Sequence, residues 1–158
     1  MNLFNSIKLF IHPRVMTMLF LGFSAGVPIL LIFSTLGLCL NEAGVFKSTI
    51  TFFSWAALGY SFKFVWAPLV DRLPLPVITR ALGRRRAWML VSQLAIMGAI
   101  LLMSSVDPRA SVDSLTIMAY GAVLLGFSSA TQDIVIDAYR IESADMDLQS
   151  MLSATYIA

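Results

Sequence analysis

The sequence predicts an all-α, polytopic membrane protein, and three observations carry that reading. Apolar residues make up 58% of the 158 positions while charged ones make up only 13%, about half of what an ordinary soluble domain carries. The mean hydropathy is +0.82, more apolar surface than a soluble domain of this length could keep from water. The apolar residues are also gathered into long runs rather than scattered. Disorder is excluded by the same numbers, because it needs low hydrophobicity and high net charge, and the net charge here is only +2. The one cysteine, Cys39, rules out an intrachain disulfide and any multi-cysteine metal site.

A membrane-crossing helix needs about 20 mainly apolar residues. Residues 15–40 form a first such run, free of charge. Residues 50–69 form a second, interrupted only by Lys63. Residues 87–106 form a third, without charge, and residues 115–139 a fourth, carrying Asp133 and Asp137 near its end. A fifth apolar segment, 148–158, has only 11 residues, too few to cross a bilayer. The expectation is therefore four complete transmembrane helices plus the start of a fifth, in a chain that is a fragment of a longer protein. The first run is not read as a signal peptide: Lys8, His12 and Arg14 precede it, but it is longer than a signal core and no small-residue cleavage site follows.

Orientation is read from the basic residues. Lys8 and Arg14 lie in the tail 1–14. Arg72, Arg80, Arg84, Arg85 and Arg86 lie between the second and third runs, and Arg140 ends the fourth. On the other side stand only Lys47 and Arg109, so the balance is eight to two, with Lys63 inside a run. A cytoplasmic tail at 1–14 and a cytoplasmic loop between the second and third helices are expected, with 15–158 as a partial transmembrane bundle.

Asp133 and Asp137 are four residues apart and share one helix face. A carboxylate inside a span is costly and generally faces a cavity or a partner. Asp133 lies about 10 Å before Arg140, and Lys63 about 12 Å before Asp71, at 1.5 Å rise per residue. Opposite charges thus stand at matched depth on two helices. Lys63 could instead snorkel to the interface, and Asp137 could pair with Arg140 one turn on. Proton coupling needs an acid that is neutral in one state and charged in another; Asp133 beside a cation is the leading candidate, with Asp137, Lys63 and Gln132 as further pathway candidates. Gly22 and Gly26 in the first run, and Gly126 and Ala130 in the fourth, have the small-xxx-small spacing that lets helices approach closely. Pro28 is expected to kink or loosen the first helix and free backbone carbonyls.

The second run ends in Trp66-Ala67-Pro68-Leu69-Val70-Asp71-Arg72, and the following loop ends in Gly83-Arg84-Arg85-Arg86. An Asp-Arg pair after a second helix, then Gly-Arg-Arg before a third, resembles the signature loop of major facilitator transporters. Ala67 replaces the expected first glycine, and a proline-containing insert, 74–82, separates the halves. Together with the stretches 62–72, 83–88, 129–138 and 21–28, this resembles the AmpG-type muropeptide permeases over essentially the whole chain. That branch also includes acetyl-coenzyme A transporters and some siderophore permeases.

The resemblance implies a major facilitator fold and proton-driven import of anhydro-muropeptides across the bacterial inner membrane. It implies no catalytic residue, no metal and no cofactor, the proton gradient being the energy source. The expected partners are the lipid bilayer, a muropeptide-like solute and C-terminal transporter helices, with no nucleic acid. Asp71, Arg72, Gly83, Arg84, Arg85 and Arg86 would form a conformational gate, in which Glu142 or Asp71 pairs with the arginines, while Asp145 and Asp147 on the same side suit the N-terminus of the fifth helix. A sister permease for a siderophore or an acetyl-coenzyme A-like solute, and a non-transporting membrane interaction protein, are the alternatives. No enzyme is expected, since the sole histidine, His12, has no serine or cysteine partner nearby.

Overall fold

The computed structural model describes residues 13–53, 55–76 and 78–143. The tail 1–12, the fifth apolar segment 148–158, and Asp145 and Asp147 lie outside the described residues. Every regular element among the described residues is helical. Three helices are long and apolar enough to cross a membrane: Val15–Glu42, Arg84–Ser104 and Val112–Glu142. Their outer faces carry large apolar side chains such as Phe20, Phe23, Leu30, Phe33 and Leu101, all more than half exposed. In water such a surface would drive association; hydrocarbon is its matching solvent.

Helix α1, Pro13–Leu30, begins on a proline, which suits a first helical position because its missing N–H would have no partner there. The helix runs through Pro28 and then widens into a π-turn, Leu31–Thr35, in which the Leu36 N–H reaches back to the Leu31 carbonyl. Pro28 cannot donate to Ser24, and a widened turn of this kind is a recurrent way of absorbing such a break. Helix α2, Leu36–Glu42, completes the span. Gly44 then takes φ +77. The Gly44 N–H bonds Asn41 O at 3.1 Å and the Val45 N–H bonds Leu40 O at 3.1 Å, a Schellman stop that only a residue tolerant of positive φ supplies cheaply.

The expected second helix, 50–69, is not one helix. It is three pieces: α3, Lys47–Phe53; α4, Ala56–Ser61; and α5, Lys63–Arg72. The break before Lys63 falls at Phe62, with φ −102 and ψ 9, and the Val65 N–H makes a tight three-residue bond to Phe62 O at 2.9 Å. Gly59 weakens α4, and Pro68 removes an N–H within α5. The insert 74–82 contains a short helix, α6, Ile78–Leu82.

Helix α7, Arg84–Ser104, starts inside the arginine run, three residues earlier than the apolar pattern suggests. Gly83, with φ +81, makes the sharp entry that a side chain would strain. Helix α8, Val112–Ser143, is capped by Ser111, whose Oγ accepts from the Ser114 N–H at 3.1 Å, the usual N-cap geometry.

Helix α8 is the axis of the bundle: α1, α3, α4, α5 and α7 all pack on it. Half of its most apolar window is buried, against 28% for the first span and 22% for α7. From Ala130 to Ile136 every residue is buried, as expected of a helix surrounded on all sides. In lipid, helices gain nothing from burying apolar surface as such; close packing between small residues holds them together. That packing is visible where α4 crosses α8. A Cβ on Gly126 would stand 2.3 Å from Ala56 O, and one on Gly59 would stand 3.1 Å from the Gly126 backbone. The partner of Gly126 is thus α4. Gly26 has no such neighbour, since a Cβ there meets nothing within 4 Å. Gly22 is half-buried, Pro28 is buried, and Ala130 is fully buried on α8.

Candidate functional site

The break at Phe62 sets Lys63 at the first position of α5, facing α8. Lys63 Nζ lies 3.8 Å from Asp133 Oδ2 and 3.5 Å from Asp137 Oδ2. Asp137 in turn pairs through Oδ1 with Arg140 Nη2 at 3.2 Å. The matched depth read from the sequence therefore corresponds to contact, and Lys63 is shared between two carboxylates one helical turn apart. Asp137 thus contacts both Arg140 and Lys63. Asp133 is the deepest member, its side chain 12% exposed, while Lys63 and Asp137 stand at 37% and 36%. The cluster is shut on the α8 side and open on the other.

Uncharged polar groups extend it inward. The Tyr60 hydroxyl, from α4, donates to Ser129 Oγ on α8, one turn before Asp133. Gln132 Nε2 donates to Ser24 Oγ on α1 at 3.3 Å, and Gln132 Oε1 is buried without a hydrogen-bond partner among the described residues. Trp66, from α5, stacks on Phe127 of α8 with ring centroids 4.3 Å apart. Tyr60, Ser24 and Ser129 were not singled out from sequence. The available signal was spacing: Tyr60 is three residues before Lys63 and Ser129 four before Asp133, so each shares its charged neighbour's face.

A second ionic group closes the end of the bundle that carries the arginines. Arg85, in the first turn of α7, bonds Asp71 Oδ1 through Nη1 at 2.8 Å. The same guanidinium takes Glu142 in a two-pronged contact, with Nε to Oε2 at 3.0 Å and Nη2 to Oε1. It thereby ties the ends of α5 and α8 to the start of α7, a task suited to a planar, forked donor. Arg72, Arg84 and Arg86 are exposed. The Trp88 indole N–H bonds Leu73 O at 2.9 Å and pins the insert against α7.

The arrangement contains fixed counter-charges within a span, a polar inward extension and an ionic tie at one end. Comparison with known proteins points to transport. Residues 14–156 match the profile of a family described as acetyl-coenzyme A transporter 1. The chain is 37% identical over 150 residues to a "Putative transporter AmpG 4" of Rickettsia conorii, covering 95% of this chain and 35% of the relative. It is 38% identical over 136 residues to the "Anhydromuropeptide permease" of Escherichia coli K12, covering 86% of this chain and 26% of that protein. A "Putative transporter AmpG 3" of Rickettsia prowazekii is 40% identical over 124 residues, 78% of this chain and 29% of the relative. The chain thus spans about a quarter to a third of the length of these relatives. With the profile matched over residues 14–156, the chain belongs to the acetyl-coenzyme A transporter 1 family, alongside these AmpG-type transporters.

Proposed function

We propose that the chain forms the opening part of a proton-driven secondary transporter that imports anhydro-muropeptides across the bacterial inner membrane, with the residue 1–14 end in the cytoplasm. The observation that carries this reading is the Lys63–Asp133–Asp137 cluster at matched depth on the second and fourth spans. Charges inside a span are retained for ion or substrate movement far more often than for stability. The solute is taken from the relative named anhydromuropeptide permease. The four-span count, with residues 47–72 acting as one crossing in three pieces, belongs to the same reading, as does the gate formed by Arg85 with Asp71 and Glu142.

Transport by two rocking bundles requires both bundles around a midplane site. The test joins this chain to the remaining helices of an AmpG relative, in cis or as a second chain. Uptake of labelled anhydro-muropeptide into right-side-out vesicles is then measured under an inward proton gradient. Uptake that a protonophore abolishes is expected from the assembly and none from the 158-residue chain alone. Robust uptake by the chain alone overturns the two-bundle mechanism. A second reading has its own support, because the matching family is described by an acetyl-coenzyme A transporter. Uptake of acetyl-coenzyme A in place of the muropeptide would select it.

A further inference from the structure

We propose that the seam between α1 and α7, at the arginine-bearing end, holds an anionic phospholipid. Its phosphate sits on Arg86, an ester carbonyl on the Tyr139 hydroxyl, and a chain on the apolar wall beyond. The inference stands apart from the transport reading, because this seam lies across α8 from the Lys63 cluster.

Helices α1 and α7 both pack along α8, and they touch each other at most sparsely. The space left between them at one end is a groove of about 400 Å³. Val135 and Tyr139 of α8 line it, with Leu21 of α1 and Met89 and Leu90 of α7. Val135 and Tyr139 stand two residues after Asp133 and Asp137, which at 3.6 residues per turn is the opposite face of the helix. The groove and the Lys63 cluster share no residue.

Polar groups are graded along the groove. Arg85 and Arg86 line the end where α7 starts. Arg85 is committed to Asp71 and Glu142. Arg86 is exposed, and among the described residues it has no ion pair or hydrogen bond. The half-buried Tyr139 hydroxyl also has no hydrogen-bond partner among them. The Thr17 hydroxyl is taken, donating to Pro13 O at 2.8 Å. Gln93 lines the inner end, seven residues and about 10 Å beyond Arg86 along α7.

Two further observations choose the occupant. Charge favours an anion, because five arginines (Arg72, Arg80, Arg84, Arg85 and Arg86) stand at this end against Asp71 and Glu142 among the described residues. A free guanidinium matches a phosphate with two parallel donors. The mouth favours a lipid. One turn beyond Thr17 and Leu90 stand Phe20 and Leu94, both more than half exposed on the apolar outer surface. A ligand that is anionic at one end, apolar at the other and delivered from the bilayer is an anionic phospholipid. Basic pockets between spans suit such head groups. Once seated, the lipid touches α1, α7 and α8 together, and so bridges two helices that meet chiefly through α8.

The test measures lipid binding to the 158-residue chain and to its assembly with the remaining helices of an AmpG relative, both in uncharged detergent. The probes are phosphatidylglycerol, phosphatidylcholine with the same chains, a diether phosphatidylglycerol without ester carbonyls, and soluble glycerol phosphate. Native mass spectrometry counts the lipid retained as its concentration is raised, and thermal melting is followed in parallel. Phosphatidylglycerol should bind at least about fivefold more tightly than phosphatidylcholine, the scale of one arginine at a membrane surface. It should also raise the melting temperature more, as a ligand of the folded form does. Arg86→Gln should erase the preference and Arg86→Lys should retain part of it, which separates lost charge from lost folding. Arg84→Gln, outside the groove, should leave it intact. Leu90→Trp, which fills the groove at constant charge, should remove the bound lipid. Tyr139→Phe should weaken the diester lipid several-fold and leave the diether lipid unchanged. Equal affinity for the two head groups overturns the inference. Equal losses from Arg84→Gln and Arg86→Gln overturn it too, marking a diffuse attraction to the basic end. Glycerol phosphate binding as tightly as the lipid assigns Arg86 to a soluble anion and refutes the lipid site. Lipid held by the chain but not by the assembly shows that a protein helix covers the seam, with the same consequence.

Discussion

Gly26 and Gly126 look alike in sequence, each one end of a small-xxx-small spacing in a span, yet adding a methyl group should have opposite effects at the two. On Gly126 the new Cβ would stand 2.3 Å from Ala56 O and 3.0 Å from Ala56 C. Both atoms are backbone, so no side-chain rotation relieves the clash, and α4 must retreat from α8 by roughly 1 Å to restore ordinary contact. Overpacking of this kind costs about 1–3 kcal/mol, against at most about 1 kcal/mol gained from alanine's helix preference. The balance is a net loss, and α4 carries with it Tyr60 and the approach to Lys63. On Gly26 a Cβ meets nothing within 4 Å, so only the propensity gain remains. The assay is disulfide cross-linking between Tyr60→Cys and Ser129→Cys in a Cys39→Ala background, on the membrane-inserted chain. Gly126→Ala should lower the cross-linking yield several-fold, and Gly26→Ala should leave it unchanged. Equal yields from Gly126→Ala and the parent, or a larger loss from Gly26→Ala, would refute the packing argument.

Further outcomes follow from the two ionic groups and the orientation. Lys63→Ala removes a cation shared by two carboxylates in a span and should cost on the order of 2 kcal/mol of stability, less than a fully buried pair because Lys63 is partly exposed. Adding Asp133→Ala should recover part of that loss in thermal inactivation, and strict additivity would show that the pair does not interact. Arg85→Lys should destabilise by about 1 kcal/mol, since an ammonium cannot hold Asp71 and Glu142 in the same forked geometry. Arg84→Lys serves as the control and should be neutral in a thermal melt. For topology, cysteines at Phe46 and Ala110 should react with an impermeant thiol reagent added from outside and one at Ile78 should not. Phe46 is preferred to Gly44, whose positive φ would strain a side chain, and the exposed Cys39 must first be replaced. Labelling at 78 from outside would invert the orientation.

Three spans could be placed from sequence because the property that defines them is local: a long uncharged stretch belongs in hydrocarbon whatever surrounds it. The same holds for Lys63 opposite Asp133 and Asp137, since helical rise converts residue counts into depth. The sharp entry at Gly83, with φ +81, was seen only in the structure. Other features depended on which surfaces meet. Hydropathy does not register the division of residues 47–72 into α3, α4 and α5. The division accompanies the close seating of Gly59 and Ala56 on Gly126. Five arginines stood in or beside one loop, and composition could not choose among them. Arg85 alone, in the first turn of α7, reaches both Asp71 and Glu142. Charge pattern along the chain thus determined the class, the spans and the charged candidates. Helix packing decided which glycine is crowded, which arginine ties the bundle, and that one lysine is shared between two acids, because each of these is a distance between residues far apart in sequence.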